Sequence, residues 1–363
     1  MVNNPDFPDG EFARRLIAWQ RHHGRHDLPW QGTRDPYAIW VAEIMLQQTQ
    51  VSTVIPYYRR FRERFPDLAS LAAATEDEVL ALWSGLGYYS RARNLRRAAQ
   101  LVLERHGGAF PRDPRAIAAL PGIGRSTAAA IAAFAWGTRG AILDGNVRRV
   151  LARCFGVEGF PGIRAVELRL WTLAEALLPD EGIEAYTQAL MDLGATLCTR
   201  SGPRCGACPV AALCVARREG RTAGLPSPRP RRALPQRETA MLLLLRGGEI
   251  LLEKRPAAGV WGGLWCLPET DPAEDAAEAS LRRFGAKLAG VRSLPVLEHG
   301  FTHFRLRIHP RMARVSALGG TAREPGLMWI NLDDALGAAL PAPVRKLIRA
   351  CAAAAIAEEG EDA

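Results

Sequence analysis

Four cysteines stand at 198, 205, 208 and 214 in a chain that has only seven. Four thiolates spaced so closely are the donor set of a cubane iron–sulfur cluster, and they also suit zinc. Visible absorption of the purified protein separates the two. The loop after the first cysteine, Thr199-Arg200-Ser201-Gly202-Pro203-Arg204, is short, stiff and basic, which suits contact with an anion. Glu43 is a lone acid in the apolar run AIWVAEIML. Burial raises a carboxyl pKa, so Glu43 is expected to stay protonated near neutral pH and to donate a proton. Gln47 and Gln50 follow at helical spacing and predict a polar stripe on the same face. Asp144 follows an apolar triplet and precedes a helix in AILDGNV. It reads as an N-cap whose charge the helix dipole preserves, as a cationic intermediate nearby would require.

In LPGIGRSTA, residues 120–128, Gly122 and Gly124 allow a tight turn and a close backbone approach, with Arg125 and Ser126 opening the next helix. Helix N-terminal amides pointing outward suit a phosphate, so the stretch reads as a helix-hairpin-helix clamp on a DNA backbone. Its outward carbonyls suit a monovalent cation. A related turn, Gly85-Leu-Gly-Tyr-Tyr89, is followed by Arg91, Arg93, Arg96 and Arg97.

The elements that position these residues are helical up to about residue 220. Periodicity predicts helices at 11–23, 35–48, 52–64, 76–84, 90–105, 125–136, 145–155, 164–178 and 183–197, with capping residues at Thr75 and Asp113. A proline-rich stretch over 223–237 then predicts an extended, semi-rigid linker. Beyond it, Ala240–Arg246 and Glu249–Lys254 flank Gly247-Gly248, a hairpin signal. His303–Val315 alternates like a strand interrupted by a proline, and helices are expected at 273–284 and 341–356. The expected architecture is an all-α front domain (1–222) and a smaller α/β or α+β back domain (238–357).

A chain of 363 residues buries a large core and accommodates two domains. No apolar run reaches membrane-spanning length, the N-terminus lacks signal-peptide features, and the scattered Cys154, Cys266 and Cys351 fit a reducing compartment. A cytoplasmic location is expected. The net charge of +9 is uneven: residues 1–222 carry +6, the linker +4 and the back domain −1. A basic front half suggests a polyanionic partner. Only Lys254, Lys287 and Lys346 are lysines, so residues 1–236 hold no side-chain amine for Schiff-base chemistry.

Taken together, the cysteine spacing, LPGIGRSTA, ILDGNV and EIMLQQTQV with LPW ahead of it resemble the MutY-type adenine DNA glycosylases of the helix-hairpin-helix superfamily. The resemblance is close over about residues 10–220 and weaker beyond. It implies a [4Fe-4S] cluster on Cys198, Cys205, Cys208 and Cys214 (module 198–214). The implied activity is removal of adenine opposite 8-oxoguanine or guanine in double-stranded DNA, after the base is flipped out. Glu43 would protonate adenine N7, and Asp144 would stabilise the oxocarbenium-like sugar or briefly bond to it, a two-carboxylate logic shared with glycoside hydrolysis. Asn146 and Ser126 would support catalysis. Arg25, Leu28, Trp30 and Gln188 would wall the base pocket. Gln48 and Tyr88 would wedge into the duplex, while Gly122, Gly124, Arg125, Arg91, Arg200 and Arg204 would hold its backbone.

Bifunctional relatives such as endonuclease III carry a lysine where this chain has Ser126, so a monofunctional enzyme is expected. The back domain resembles a Nudix fold through WGGLWCLPE at 261–269, but AEASLRRFG replaces the acid-rich metal-binding helix at 277–285, so pyrophosphatase activity is not expected. The family reads 8-oxoguanine with an F-S-H loop, and Phe301-Thr302-His303 stands at that place. A monomer of bacterial origin, associated with the nucleoid through DNA, is expected. Two other readings are a non-catalytic DNA sensor that uses the cluster for charge transfer, and a glycosylase/lyase acting on oxidised pyrimidines. Both carboxylates argue against the first, and Ser126 with the extra domain against the second.

Overall fold

The computed structural model describes residues 10–230, 233–319 and 326–361, with side chains through residue 353. Arg231 and Arg232 of the basic linker lie outside the described residues. The chain divides into two compact units, Met1–Ala73 with Asn94–Arg231, and Ala74–Arg93 with Arg232–Ala363.

The first unit is helical. It contains α1 (Glu11–His23), α2 (Pro36–Leu46), α3 (Val51–Arg64) and α4 (Leu68–Ala73). The second unit opens with α5 (Glu76–Trp83), and α6 (Ser90–His106) begins there before running into the first. The first unit continues with α7 (Pro114–Ala118), α8 (Arg125–Trp136), α9 (Gly145–Cys154), α10 (Arg164–Ala176), α11 (Ile183–Asp192) and α12 (Val215–Arg218). A π-helical turn, Leu193–Leu197, extends α11. The helix starts follow local chemistry. Asp35 caps α2 ahead of Pro36, Thr75 and Glu78 form a reciprocal capping box on α5, and Asp113 caps α7 ahead of Pro114. The core joins Phe12 and Leu16 of α1, Val147, Val150 and Leu151 of α9, and Tyr186 and Leu190 of α11.

Two expectations change here. Helix α2 stops at Leu46, so Gln47 and Gln50 do not share its face. The backbone leaves the helix at Gln47 and turns through Gln48 at a positive φ of 57°. The linker's first residues are also not free-running. Leu225 is buried, its carbonyl accepts from Arg153 Nε at 2.9 Å, and Ser227 Oγ accepts from Gly159 N at 3.2 Å.

The second unit is built on an eight-stranded sheet: β1 (Gln236–Arg246), β2 (Glu249–Lys254), β3 (Trp265–Cys266), β4 (Glu269–Thr270), β5 (Ala286–Ser293), β6 (Leu297–Gly300), β7 (Arg305–Leu318) and β8 (Leu327–Asn331). Its remaining helices are α13 (Ala276–Phe284), α14 (Leu332–Ala335) and α15 (Ala342–Glu361). The β1–β2 hairpin turns at Gly247-Gly248 with Arg246 opposite Glu249. Strand β1 pairs in parallel with β7 and is buried continuously from Ala240 to Leu244, as a strand covered on both faces must be. Pro310 does not interrupt β7. On the opposite edge of β7, pairing with β6 stops at Ile308 of β7 and pairing with β5 begins at Arg311 of β7, so the missing N–H falls in that gap. Among the described residues no helix is long and apolar enough to cross a membrane.

Candidate active site

Glu43 sits on α2 at the wall of a cavity of about 490 Å³ in the first unit. Arg25, Leu28, Trp30 and Gln188 line the same cavity, so the segment 25–30 and the distant Gln188 converge on the expected proton donor. Apolar neighbours on α2, from Ile39 to Met45, flank Glu43, which lines the cavity. Burial pushes its pKa up to about 8, and the nearby Asp144 carboxylate adds to the rise. Leu28 and Trp30 are largely buried, with Trp30 edge-on to Tyr58 at 5.4 Å between ring centroids.

Sequence reasoning missed the residue that holds this wall together. Asp192, at the end of α11, is 0% exposed. One oxygen accepts from Arg25 N at 2.9 Å; the other accepts from Arg25 Nε at 2.7 Å and Gln188 Nε2 at 2.8 Å. Arg25 Nη2 lies 2.7 Å from that second oxygen. Gly24 is required beside it, because a Cβ there would lie 2.6 Å from Gln20 O. The available signal was the i,i+4 spacing of Gln188 and Asp192 on one helix face. Asp192→Ala should destabilise the fold by about 3–5 kcal/mol, because it strands the Arg25 guanidinium. Urea unfolding checks this, and a loss below about 1 kcal/mol would refute the clamp.

Asp144 caps α9, its Oδ1 accepting from Val147 N at 2.7 Å. Ser126 supports the approach to it, since Ser126 Oγ accepts from Leu143 N at 2.9 Å. The cap alone favours the charged form of Asp144, yet its carboxyl is not held below the ordinary aspartate range. Burial raises it, and the amides of Val147 and Asn146, with Arg149 and Arg148, offset only part of the rise. Asn146 Oδ1 accepts from Arg149 Nη2 at 2.8 Å, and the same guanidinium reaches Gly194 O and Cys198 O, each at 2.7 Å. A Cβ on Gly194 would lie 2.4 Å from Asn146 Cβ, so only glycine lets the π-turn meet the first turn of α9.

One turn further along α9, Arg153 is buried, with Nη1 donating to Thr199 O at 2.7 Å and standing 3.4 Å from Cys198 Sγ. Cys198, Cys205, Cys208 and Cys214 line one small cavity of about 20 Å³ together with Arg153 and Cys154. Cys214 is pulled down to about 6, chiefly by a hydrogen bond from Cys154, which favours the thiolate needed for ligation. Burial pushes Cys208 up to about 11. Among the described residues no three His, Cys, Asp or Glu are grouped as a ready single-ion site. Four thiols around one cavity fit an all-sulfur donor set.

The residues expected on DNA divide into two groups. Gln48 and Tyr88 are exposed and, with Trp261, are the non-glycine residues at positive φ among the described residues. Such strain persists at a functional side chain when its surroundings impose it. Gly122 takes φ 79°, and Gly124 caps α8 with open space where a Cβ would stand. Gln47 Nε2 lies 3.4 Å from Gly122 O and from Thr127 Oγ1. Arg125 pairs with Glu175 and lies over the Trp171 ring at 4.1 Å, while remaining half exposed. Arg200 is exposed, and Arg204 Nη2 donates to Thr196 O at 2.9 Å. Arg91 departs from expectation. It is buried, and its Nη2 donates to Leu86 O at 3.2 Å and Gly87 O at 3.1 Å, so it braces a loop and is not presented to a phosphate.

In the second unit, Phe301, Thr302 and His303 form the turn between β6 and β7, closed by Phe301 N donating to Phe304 O at 2.9 Å. Thr302 and His303 are exposed, and Phe301 stacks on buried Phe304 at 4.4 Å. Trp261 and His299 extend this aromatic group, at 5.5 and 4.7 Å from the Phe301 ring. On α13, where the sequence lacks the acid-rich run, Arg283 donates to both oxygens of Glu253 at 2.8 Å, and nearby in the sheet Arg255 pairs with Glu269 at 2.9 Å.

Comparison with known proteins places both halves. Residues 41–176 match the HhH-GPD superfamily of base excision DNA repair proteins, and residues 239–350 match the NUDIX domain. The first unit's fold is similar to a thermostable thymine-DNA glycosylase, with TM-score 0.52 and 31% identity over 57% of this chain and 95% of that one. It is also similar in fold to endonuclease III in a non-covalent DNA complex, with TM-score 0.50 and 22% identity over 58% of this chain and 94% of the other. An adenine DNA glycosylase of Homo sapiens is 34% identical over 93% of this chain and 73% of its own length. One from Buchnera aphidicola (subsp. Baizongia pistaciae) is 35% identical over 93% of this chain and 95% of its own length. On that shared length, and with a glycosylase-like helical unit followed by a Nudix-like sheet unit, the chain belongs to the adenine DNA glycosylase family.

Proposed function

We propose that the protein removes adenine from duplex DNA by hydrolysing its N-glycosidic bond, acting on adenine opposite 8-oxoguanine or guanine. The observation that carries this reading is Glu43, raised to about 8, at the wall of a cavity that Arg25, Leu28, Trp30 and Gln188 line. A cavity of this size accepts a flipped base while the duplex stays outside. Glu43 gives a proton to the base at N7, making it a leaving group, and the sugar left behind becomes cationic. Asp144 stands close enough to bias the titration of Glu43 and supplies the negative charge for that cation.

The reaction is read as monofunctional. Ser126 occupies the hairpin position where a lysine would attack the sugar, and its hydroxyl is bonded to Leu143 N. Cys198, Cys205, Cys208 and Cys214 would hold a [4Fe-4S] cluster, whose contribution is structural cross-linking of the module. Through Arg149 and Arg153 that module is tied to α9, which carries Asp144 at its start. The hairpin at Gly122 and Gly124 is the candidate for a monovalent cation and a DNA phosphate. The turn Phe301-Thr302-His303 is the candidate reader of 8-oxoguanine. Helix α13, which a Nudix hydrolase would use to hold magnesium, carries AEASLRRFG with Arg282 and Arg283 in place of an acid-rich run, which supports reading over hydrolysis.

The test is a single-turnover assay on duplexes with adenine opposite 8-oxoguanine, guanine or thymine. Excision should be fastest opposite 8-oxoguanine, slower opposite guanine and absent opposite thymine, with strand breakage only after added base. Breakage without base would overturn the monofunctional reading, and equal excision opposite thymine would overturn mispair selection. His303→Ala in the full chain should narrow the preference for 8-oxoguanine over guanine. An unchanged ratio removes that residue from recognition.

A further inference from the structure

Residues 74–93 lie in the first third of the sequence yet belong to the second compact unit, together with the sheet. They carry Tyr88, 43% exposed at φ 48°. A bulky residue in the left-handed region costs on the order of 1–3 kcal/mol and stays there only when its surroundings over-determine it. The loop's own backbone does not do so, since Gly85 and Gly87, both at positive φ, leave it permissive. Two sets of contacts do.

The first set lies beneath the loop. Trp83 Nε1 donates to Gly87 O at 3.2 Å, and Arg91 bonds Leu86 O and Gly87 O while its guanidinium lies 5.6 Å from the Tyr88 ring and 5.3 Å from the Trp83 ring. The second set comes from residues of the C-terminal part of the chain, 169 or more positions later. Leu340 O, fully buried, accepts from both Ser84 Oγ and Tyr89 OH, the residues at the two ends of the loop. Ser84 Oγ in turn accepts from Arg345 Nη2 at 2.9 Å, and Arg345 is fixed by Nη1 donating to Leu336 O at 2.6 Å. Further back, Asp77 pairs with Lys254 and accepts from Trp265 Nε1 at 3.4 Å, and Arg93 donates to Gly262 O.

We propose that Arg345 and Ser84 are positioning residues for the Tyr88 loop, so that the C-terminal part of the chain seats the side chain that enters the duplex. This deepens the proposed function and rests on its reading of Tyr88 as a duplex contact. The step it governs is opening of the base stack, before any bond is broken. A tyrosine held at one height needs no search among loop conformers when it meets the duplex.

The experiment uses the full chain and a duplex with 2-aminopurine beside the adenine:8-oxoguanine pair, whose fluorescence rises as the stack opens. Arg345→Met and Ser84→Ala should each slow the opening phase roughly tenfold, with the thermal midpoint of Ser84→Ala lowered by no more than about 5 °C, so that the variant stays folded at the assay temperature. Should Arg345→Met unfold, Ser84→Ala carries the test, because it removes one hydroxyl and no charge. Tyr88→Ala should slow opening at least as much, and Tyr88→Ala with Arg345→Met should match Tyr88→Ala alone. Wild-type opening in Arg345→Met and Ser84→Ala, or multiplicative effects in the double variant, would overturn the proposal. Wild-type opening in Tyr88→Ala would instead overturn the reading of Tyr88 itself.

Discussion

Glu43→Gln is expected to lower the single-turnover excision rate by about 10³-fold, at the strong end of general acid catalysis. Glutamine keeps the shape and removes the proton donor. The wild-type pH profile carries the same argument. Glu43 works in its protonated form and its pKa is raised to about 8, so the rate should fall as pH rises through about 8. On the acid side, Asp144 must be ionised, and burial has raised it above the ordinary aspartate range, so the acid limb should lie higher than a free aspartate would set it. Because the two carboxylates interact, the limbs belong to the pair. A flat profile between pH 6 and about 9, or wild-type rates in Glu43→Gln, would remove Glu43 from the chemistry.

The same burial has a stability consequence. Glu43 has a higher pKa folded than unfolded, where about 4.5 applies, so the folded chain holds the extra proton between about 4.5 and about 8. Stability is therefore present at low pH and lost as pH rises through that window. Glu43→Gln abolishes this loss. It should be more stable than wild type at pH 7, by up to about 3 kcal/mol, with the gain vanishing as pH falls through 4.5. Loss of activity with gain of stability is what a functional buried acid should show.

Asp144→Asn should lower the excision rate by about 10²–10³-fold with little change in stability. Asparagine still presents an oxygen to Val147 N and so retains the cap on α9. It loses the charge that faces the developing cation. Asp144→Ala should lose the same activity and, in addition, about 1 kcal/mol of stability, because the cap itself is gone. The substitution also removes the like charge beside Glu43, so the alkaline limb measured on residual Asp144→Asn activity should move to lower pH. The move should be small, because burial is the larger cause of the Glu43 shift. An asparagine variant as active as wild type would reduce Asp144 to a cap.

Features set by near neighbours in the chain are legible in the residues themselves. Helices α1 to α3, α5, α6 and α8 to α11 follow apolar periodicity, and starts follow capping residues such as Asp113, Asp144 and Thr75, whereas the five- and six-residue α7 and α4 are too short to show a period. The Gly247-Gly248 hairpin follows from turn chemistry. The short strands β3, β4 and β6 are not legible, because two to four residues carry too little alternation. The residue types at the site are legible too, since a lone acid in an apolar helix, an aspartate before a helix and four close cysteines are each unusual within their own windows.

Short windows of sequence therefore specify the elements and the reactive side chains they carry. Folding alone settles which of those side chains meet and what their surroundings do to them. Arg25 and Gln188 share Asp192, and Arg25 stands 167 positions from it. Arg91, one basic residue in a run of four, turns inward because carbonyls at Leu86 and Gly87 need a donor. Residues 74–93 join the sheet unit through Leu340 and Arg345. Asp144 rises where a helix dipole alone would have lowered it, because desolvation outweighs a cap once neighbours remote in sequence close around the carboxylate. Caps and periods act over one or two turns of chain, whereas burial and ion pairing depend on segments brought together only by folding.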